Sequence, residues 1–186
     1  MRVNQFRFLT KDDRYDNTPN WSRCYEWCYA LTALREDPTL VRVHNTCCGP
    51  ELIHKFFHDR LVATGREITN SDFVTTPINQ TFSRYHEYNI LEPKEASFDC
   101  VLCISTLEEL KDEEKISLAF NNLLNQTREG GRLIITCDYP DVSVSLLERL
   151  VGQRCRREGI LLSGESSVFQ DLRFQHLNVV LIDVTK

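Results

Sequence analysis

Residues 98–105 read FDCVLCIS. Apolar side chains stand at consecutive rather than alternate positions, the pattern of a strand covered on both faces in a parallel sheet. The segment that follows, DEEKISLAFNNLLNQTR (112–128), has the marks of a helix. Asp112 can cap it, Glu113 and Glu114 suit its positive end, and Ile116, Ala119, Phe120, Leu123 and Leu124 form one stripe. Gly130 and Gly131 then turn the chain into RLIITCD (132–138), a second buried strand. A strand, a helix and a strand in this order imply a right-handed crossover.

The same alternation extends outward on both sides. TLVRVHN (39–45) reads as a strand, Pro50 to Ala63 as a helix ended by Gly65, and REITNSD (66–72) as a second, more polar strand. Residues 74–86, interrupted by Pro77, suggest a turn and a short helix, and EYNIL (87–91) a short strand. Near the amino end, residues 1–17 read as a polar, irregular arm. A helix capped by Thr18 with Pro19 in its first turn runs on to Pro38. Trp21, Cys24, Tyr25, Cys28, Leu31 and Leu34 have helical spacing within it. Beyond residue 140 the pattern predicts a helix from about Asp141 to Glu158. Two closing strands, ILLSGESS and LNVVLIDVT, would form a reversed hairpin, because a parallel pair would need a longer connection. The expected fold is α/β: a single doubly wound three-layer sandwich over 1–186, with 1–38 as an amino-terminal arm and helix. Its sheet is mostly parallel and seven-stranded, with one antiparallel strand near the C-terminus.

Composition narrows the function classes. The chain has 186 residues, 41% hydrophobic and 26% charged, enough for one domain with a real core. A net charge of -5 argues against broad nucleic-acid binding. The one basic stretch, QRCRRE (153–158), reads as the last turn of a helix, where cations meet open carbonyls. No apolar run approaches the ~20 residues of a membrane span, and the first residues lack a signal-peptide apolar core. A cytoplasmic location is expected. The eight cysteines read as reduced core residues: Cys100 and Cys103 lie three apart on a strand, facing opposite ways, and cannot share a metal. His54 and His58 fall opposite the apolar face of their helix and are expected in solvent. No metal site is expected.

A doubly wound sheet binds ligands beyond the carboxyl ends of its strands, and there a resemblance is carried by four segments. VHNTCCGPE (43–51), ITNSD (68–72), SFDCVLCISTLEEL (97–110) and LLNQTREGGRLIIT (123–136) resemble, in order and spacing, the strand-end motifs of class I S-adenosylmethionine-dependent methyltransferases. The likeness spans roughly 40–140. It implies S-adenosylmethionine as cofactor, and a binding set of Asn45, Cys47, Gly49, Asp72, Phe73, Asn89, Ile90 and Ser105. Asp72 would accept the ribose hydroxyls, or else satisfy its own turn. Phe73 and Ile90 would flank the adenine, with Asn89 at its amino group. Ser105 to Leu107 would border the methionine moiety, or simply pack. The family's glycine-rich turn has the form D-x-G-x-G-x-G; this chain has Asn45, Cys47, Gly49 and Glu51 at those places, and Glu109 where the family often has His.

The family's chemistry requires alignment more than a dedicated base, so catalytic residues do not follow from the pattern. Asp138 and Tyr139, just past a strand end, either face an acceptor or serve as turn residues before Pro140. Trp21, Arg23 or Tyr25 would lid the cofactor or pack on the sheet. The acceptor, a small molecule or peptide, stays open. So do two other readings: a catalytically inactive binding or regulatory protein of this fold, and a dinucleotide oxidoreductase of the same topology.

Overall fold

A computed structural model describes residues 1–9, 13, 22–50, 52–94, 97–156 and 178–186. Seven strands form one sheet: β1 (Arg2–Phe8), β2 (Arg42–Thr46), β3 (Glu67–Asp72), β4 (Tyr85–Glu87), β5 (Phe98–Ile104), β6 (Thr127–Tyr139) and β7 (Asn178–Thr185). Four helices accompany them: α1 (Ser22–Glu36), α2 (Leu52–Val62), α3 (Glu113–Gln126) and α4 (Val144–Val151). The strand order is β1-β7-β6-β5-β2-β3-β4. Strands β6 to β4 pair in parallel, while β7 runs antiparallel to both its neighbours. The mostly parallel sheet with one antiparallel strand near the C-terminus is therefore present. Among the described residues, no helix is long and apolar enough to cross a membrane.

The strand at residues 98–104 sits at the centre and is buried from Asp99 onward. Its alternate side chains join two separate cores. Cys100, Leu102 and Ile104 meet Leu31 and Leu34 of α1 and Phe57 and Leu61 of α2. Val101 and Cys103 meet Ile116, Phe120 and Leu123 of α3 and Leu147 of α4. Cys100 and Cys103 are thus on opposite faces, as their spacing requires. Asp112 caps α3 by accepting from the Lys115 amide at 2.9 Å.

Four expectations need correction. Residues 2–8 are not an irregular arm but β1, the edge strand beside β7. Phe6 and Phe8 alternate with polar neighbours and enter the core, so hydrophobic alternation outweighs the polar average of the segment. The short strand after residue 80 is Tyr85–Glu87 rather than 87–91; Tyr88 and Ile90 instead turn into the core. The helix expected over 141–158 is shorter: Ser143 caps it and Gly152, at φ 72°, ends it, because glycine adopts the left-handed cap without strain. Gly130 and Gly131 lie inside β6, where the register with β5 slips between Phe98 and Cys100, so they form a bulge rather than a turn. The expected start of α1 at Thr18 and Pro19, and the strand ILLSGESS, lie outside the described residues.

One buried acid ties the antiparallel edge together. Asp183 of β7 accepts from the Tyr29 hydroxyl at 2.7 Å and from Asn4 Nδ2 at 3.0 Å, and it pairs with Arg132 of β6. Helix α1 and strands β1, β6 and β7 thereby converge on one carboxylate. Burying a charge is tolerable only when it is paired and fully hydrogen-bonded.

Candidate active site

The turn after β2 begins with strain and ends with a glycine. Cys47 holds φ 52° and Gly49 φ 82°; the first is uncommon for a residue with a Cβ. A Cβ on Gly49 would lie 2.4 Å from the His54 ring. The one glycine retained is therefore at a position where both conformation and space require it. Its amide donates to Asp72 Oδ2 at 2.8 Å, and Asp72 Oδ1 accepts the Val74 amide at 3.0 Å. The end of β3 is thus clamped to the turn after β2 by one carboxylate, which also satisfies its own turn.

Beyond this clamp, at the carboxyl ends of the central strands, lies a cavity of about 460 Å³. Cys47, Gly49, Asp72, Phe73, Asn89, Ile90 and Ser105 all line it. Asn45 does not: its side chain is buried, and Nδ2 donates to Asn70 Oδ1 at 3.0 Å. The apolar lining includes Phe73, which is 65% exposed, and Ile90 and Ile104. Asn89 accepts the Leu91 amide at 3.0 Å through its side-chain oxygen, and so fixes the loop that carries Ile90. The Cys47 thiol is pushed well above its ordinary value by its hydrogen bond with Cys103 and by burial, so it stays a neutral, inert wall of the site.

Behind the clamp, His44 is buried between α3 and β3. Its Nδ1 donates to Gln126 Oε1 and its Nε2 accepts from the Ser71 hydroxyl, both at 2.8 Å. Burial pushes its pKa down to about 3, so the ring is neutral and each nitrogen has a partner.

A second polar cluster lies at the ends of β5 and β6. Ser105, at φ 42°, has its amide held by Thr136 O and Oγ1, each at 3.0 Å. The Ser105 and Thr136 hydroxyls donate to Glu26 Oε2 at 2.6 Å and 2.5 Å. Arg23 lies 3.4 Å from Glu26 and reaches the Ser105 carbonyl at 3.4 Å. Two more acids face this group. Both carboxylate oxygens of Glu108 and Oδ1 of Asp138 are buried without a hydrogen-bond partner. Burial and Asp138 raise the Glu108 pKa well above the ordinary range. Burial and Glu26 raise that of Asp138 to about 7.

Sequence reasoning missed several of these groups. His54 and His58 were expected in solvent, yet His54 lines the cavity and His58 is buried, stacked on Phe82 at 4.5 Å. Phe82 and Ser83 come from a loop whose path the spacing of α2 does not reveal. Arg23 borders the cavity, as a lid residue would, together with Trp27. Tyr25 is buried, and Trp21 lies outside the described residues. Glu26 and Glu108 gave no sequence signal beyond being polar residues beside apolar ones.

No family model matches the chain, and no curated protein matches it in sequence. Solved structures do resemble it. The N-methyltransferase NodS from Bradyrhizobium japonicum, in complex with S-adenosyl-L-homocysteine, aligns at TM-score 0.57 and 15% identity over 85% of this chain and 84% of its own. The 1,6-didemethyltoxoflavin N1-methyltransferase of Burkholderia thailandensis, with S-adenosylhomocysteine bound, aligns at 0.56 and 16% over 87% and 78%. The [4+2]-cyclase SpnF aligns at 0.56 and 14% over 100% and 87%. The chain spans about half the length of three further methyltransferase structures, covering 46%, 48% and 49% of them. These likenesses are of fold: the chain has the mixed α/β architecture of the two N-methyltransferases and the cyclase.

Proposed function

We propose that the chain, as one domain over 1–186, is an S-adenosylmethionine-dependent methyltransferase with the doubly wound three-layer arrangement of that class. The observation that carries this reading is the cavity: seven of the eight residues singled out for the cofactor line one space at the carboxyl ends of parallel strands. The residues fit the group. At Gly49 any Cβ would strike the His54 ring, so the turn presents bare backbone where it lines the cavity. Asp72, immobilised by two backbone amides, keeps further acceptor capacity for ribose hydroxyls. Phe73 and Ile90 offer apolar surface for an adenine, and Ser105 borders the space for the methionine portion. The cofactor would supply an activated methyl group. The chain's part is to hold donor and acceptor in line and to exclude water. Asn45, set back from the cavity, supports β2 rather than touching ligand, so the lost charge of the turn bears less on affinity than the side chain of Cys47.

The test is calorimetric titration of the chain with S-adenosylhomocysteine. Saturable one-to-one binding is expected. Absence of binding would overturn the reading and leave a binding protein built on the same fold.

A further inference from the structure

We propose that His86 and Lys94 form a pH-sensitive clasp across the loop that carries Asn89, Ile90 and Leu91, so that the cavity loses affinity for its ligand when His86 takes up a proton. The ligand is that of the methyltransferase reading; the clasp itself rests on separate observations.

Strand β4 ends at Glu87. Residues 88–94 leave it, and Asn89, Ile90 and Leu91 form part of the cavity wall. Lys94, at the far end of this loop, returns to its near end and donates to His86 Nε2. Its Nζ also lies 4.8 Å from the centre of the Tyr88 ring, within cation–π range. Three further bonds fasten the loop, and they join amides, carbonyls and a phenol. The Tyr88 hydroxyl donates to the Glu92 carbonyl at 2.8 Å, Gln126 Nε2 to the Tyr88 hydroxyl at 2.8 Å, and Asn122 Nδ2 to the Ile90 carbonyl at 3.0 Å. The contact that titrates is therefore the one between His86 and Lys94.

An ammonium has donors and no acceptor, so this bond exists only while His86 Nε2 is unprotonated. A proton there removes the acceptor and leaves two cations in contact. The surroundings supply no compensation. From β2, the His44 ring stacks on His86 at 5.6 Å, with its nitrogens taken by Gln126 of α3 and Ser71 of β3. On β4 and its approach, Arg84 pairs with Glu67 and turns its carbonyl to His86, while Glu87 accepts from Thr75 at 3.2 Å. In the loop, Glu92 acts on Tyr88. Burial first, and then Lys94, hold His86 below its ordinary value. With a depressed folded value, the clasp is complete above pH 6.5 and opens as pH falls through that folded value.

The experiment follows the His86 ring by NMR from about pH 8 to about pH 4.5, in the native chain and in Lys94→Met. It also titrates S-adenosylhomocysteine calorimetrically at pH 7.5 and pH 5 into the native chain and into His86→Gln, whose amide oxygen accepts from Lys94 at either pH. His86 is expected to titrate below 6.5 and to move upward in Lys94→Met. Acidification should weaken S-adenosylhomocysteine binding roughly threefold or more in the native chain, in proportion to the share of closed loop that is lost. In His86→Gln the affinity should stay flat. A native His86 value at or above 6.5, a value that Lys94→Met leaves unchanged, or equal pH dependence in the native chain and His86→Gln would each overturn the clasp. If S-adenosylhomocysteine binds at neither pH, the methyltransferase reading falls, and hydrogen exchange decides the clasp. Loss of protection in residues 88–94 on acidification, absent in His86→Gln, keeps it; protection unchanged by pH ends it too.

Discussion

Two clusters of polar side chains sit at the carboxyl end of one sheet, and they are satisfied to different degrees, with Asn45 Oδ1 buried and unpartnered beside the first. At the ends of β2 and β3, Asp72 takes two backbone amides and His44 has a partner on each nitrogen. At the ends of β5 and β6, Glu108 and Asp138 keep buried oxygens without partners. The first cluster builds the frame that presents the turn. The second carries an internal electrostatic cost. A satisfied group stabilises the folded protein, whereas an unsatisfied buried one costs it stability.

The largest effect should come from removing the carboxylate of the satisfied end. Asp72→Ala leaves the Gly49 and Val74 amides without acceptors. Hydrogen bonds to a charged group contribute ~1.5–3 kcal/mol each, so a stability loss of about 3 kcal/mol or more is expected in chemical denaturation. S-adenosylhomocysteine affinity should fall tenfold or more in the same variant. Unchanged stability would show that the clamp is not structural, and unchanged affinity that Asp72 does not meet the ligand.

The opposite substitution at the other end should have the opposite sign. Asp138→Asn is expected to melt higher than the native chain at pH 8, with each kcal/mol gained worth ~2–4 °C. The pH dependence sharpens the contrast. Asp138 has a folded pKa of about 7 against an ordinary 3.8. Its contribution is thus complete below the unfolded value and lost as pH rises through 7. His44 has a folded value of about 3 against 6.5. Its contribution is present above 6.5 and lost as pH falls towards 3. Between pH 4 and 7 the two slopes oppose each other. Asp138→Asn should therefore lose stability more steeply on acidification than the native chain. Parallel melting curves across that range would break the comparison.

The smallest effect is expected at the turn itself. A glycine at Cys47 would cost about 0.5–1 kcal/mol of chain entropy in an ordinary conformation. At φ 52°, a residue with a Cβ already bears roughly 1–2 kcal/mol of strain. Cys47→Gly should leave the melting temperature within a few degrees of the native one and improve S-adenosylhomocysteine binding, read by calorimetry. Weaker binding would mean that the Cys47 side chain belongs to the site.

These contrasts explain what was legible in the sequence. The apolar run at 98–105 announced a strand buried on both faces, and the resemblance carried by four strand-end segments implied a mostly parallel sheet around it. The cavity residues Gly49, Asp72 and Ile90 could be singled out because each stands at or shortly after a strand end, where the resemblance to methyltransferase motifs implies a place for it. Glu108 and His58 could not, since their surroundings come from segments distant in sequence: β6 and α1 for the one, the 82–83 loop for the other. Strand β1 was hidden for another reason. Its two phenylalanines are separated by an arginine and preceded by polar residues, and an edge strand needs only one apolar face.

The place of β7 between β6 and β1 has a consequence for how the molecule is made. Strand β1 precedes the other strands of the sheet in the chain, yet its partner among the described residues is β7, which follows them all. Its register joins Arg2 to Thr185, and such long-range pairing is slow to form. Until β7 arrives, Phe6 and Phe8 have no sheet to enter and Asp183 is not yet there to collect Asn4, Tyr29 and Arg132. The parallel centre can assemble before β7 is made, but this edge closes only after it, and a nascent chain stalled before residue 178 would present an unpaired strand to its surroundings.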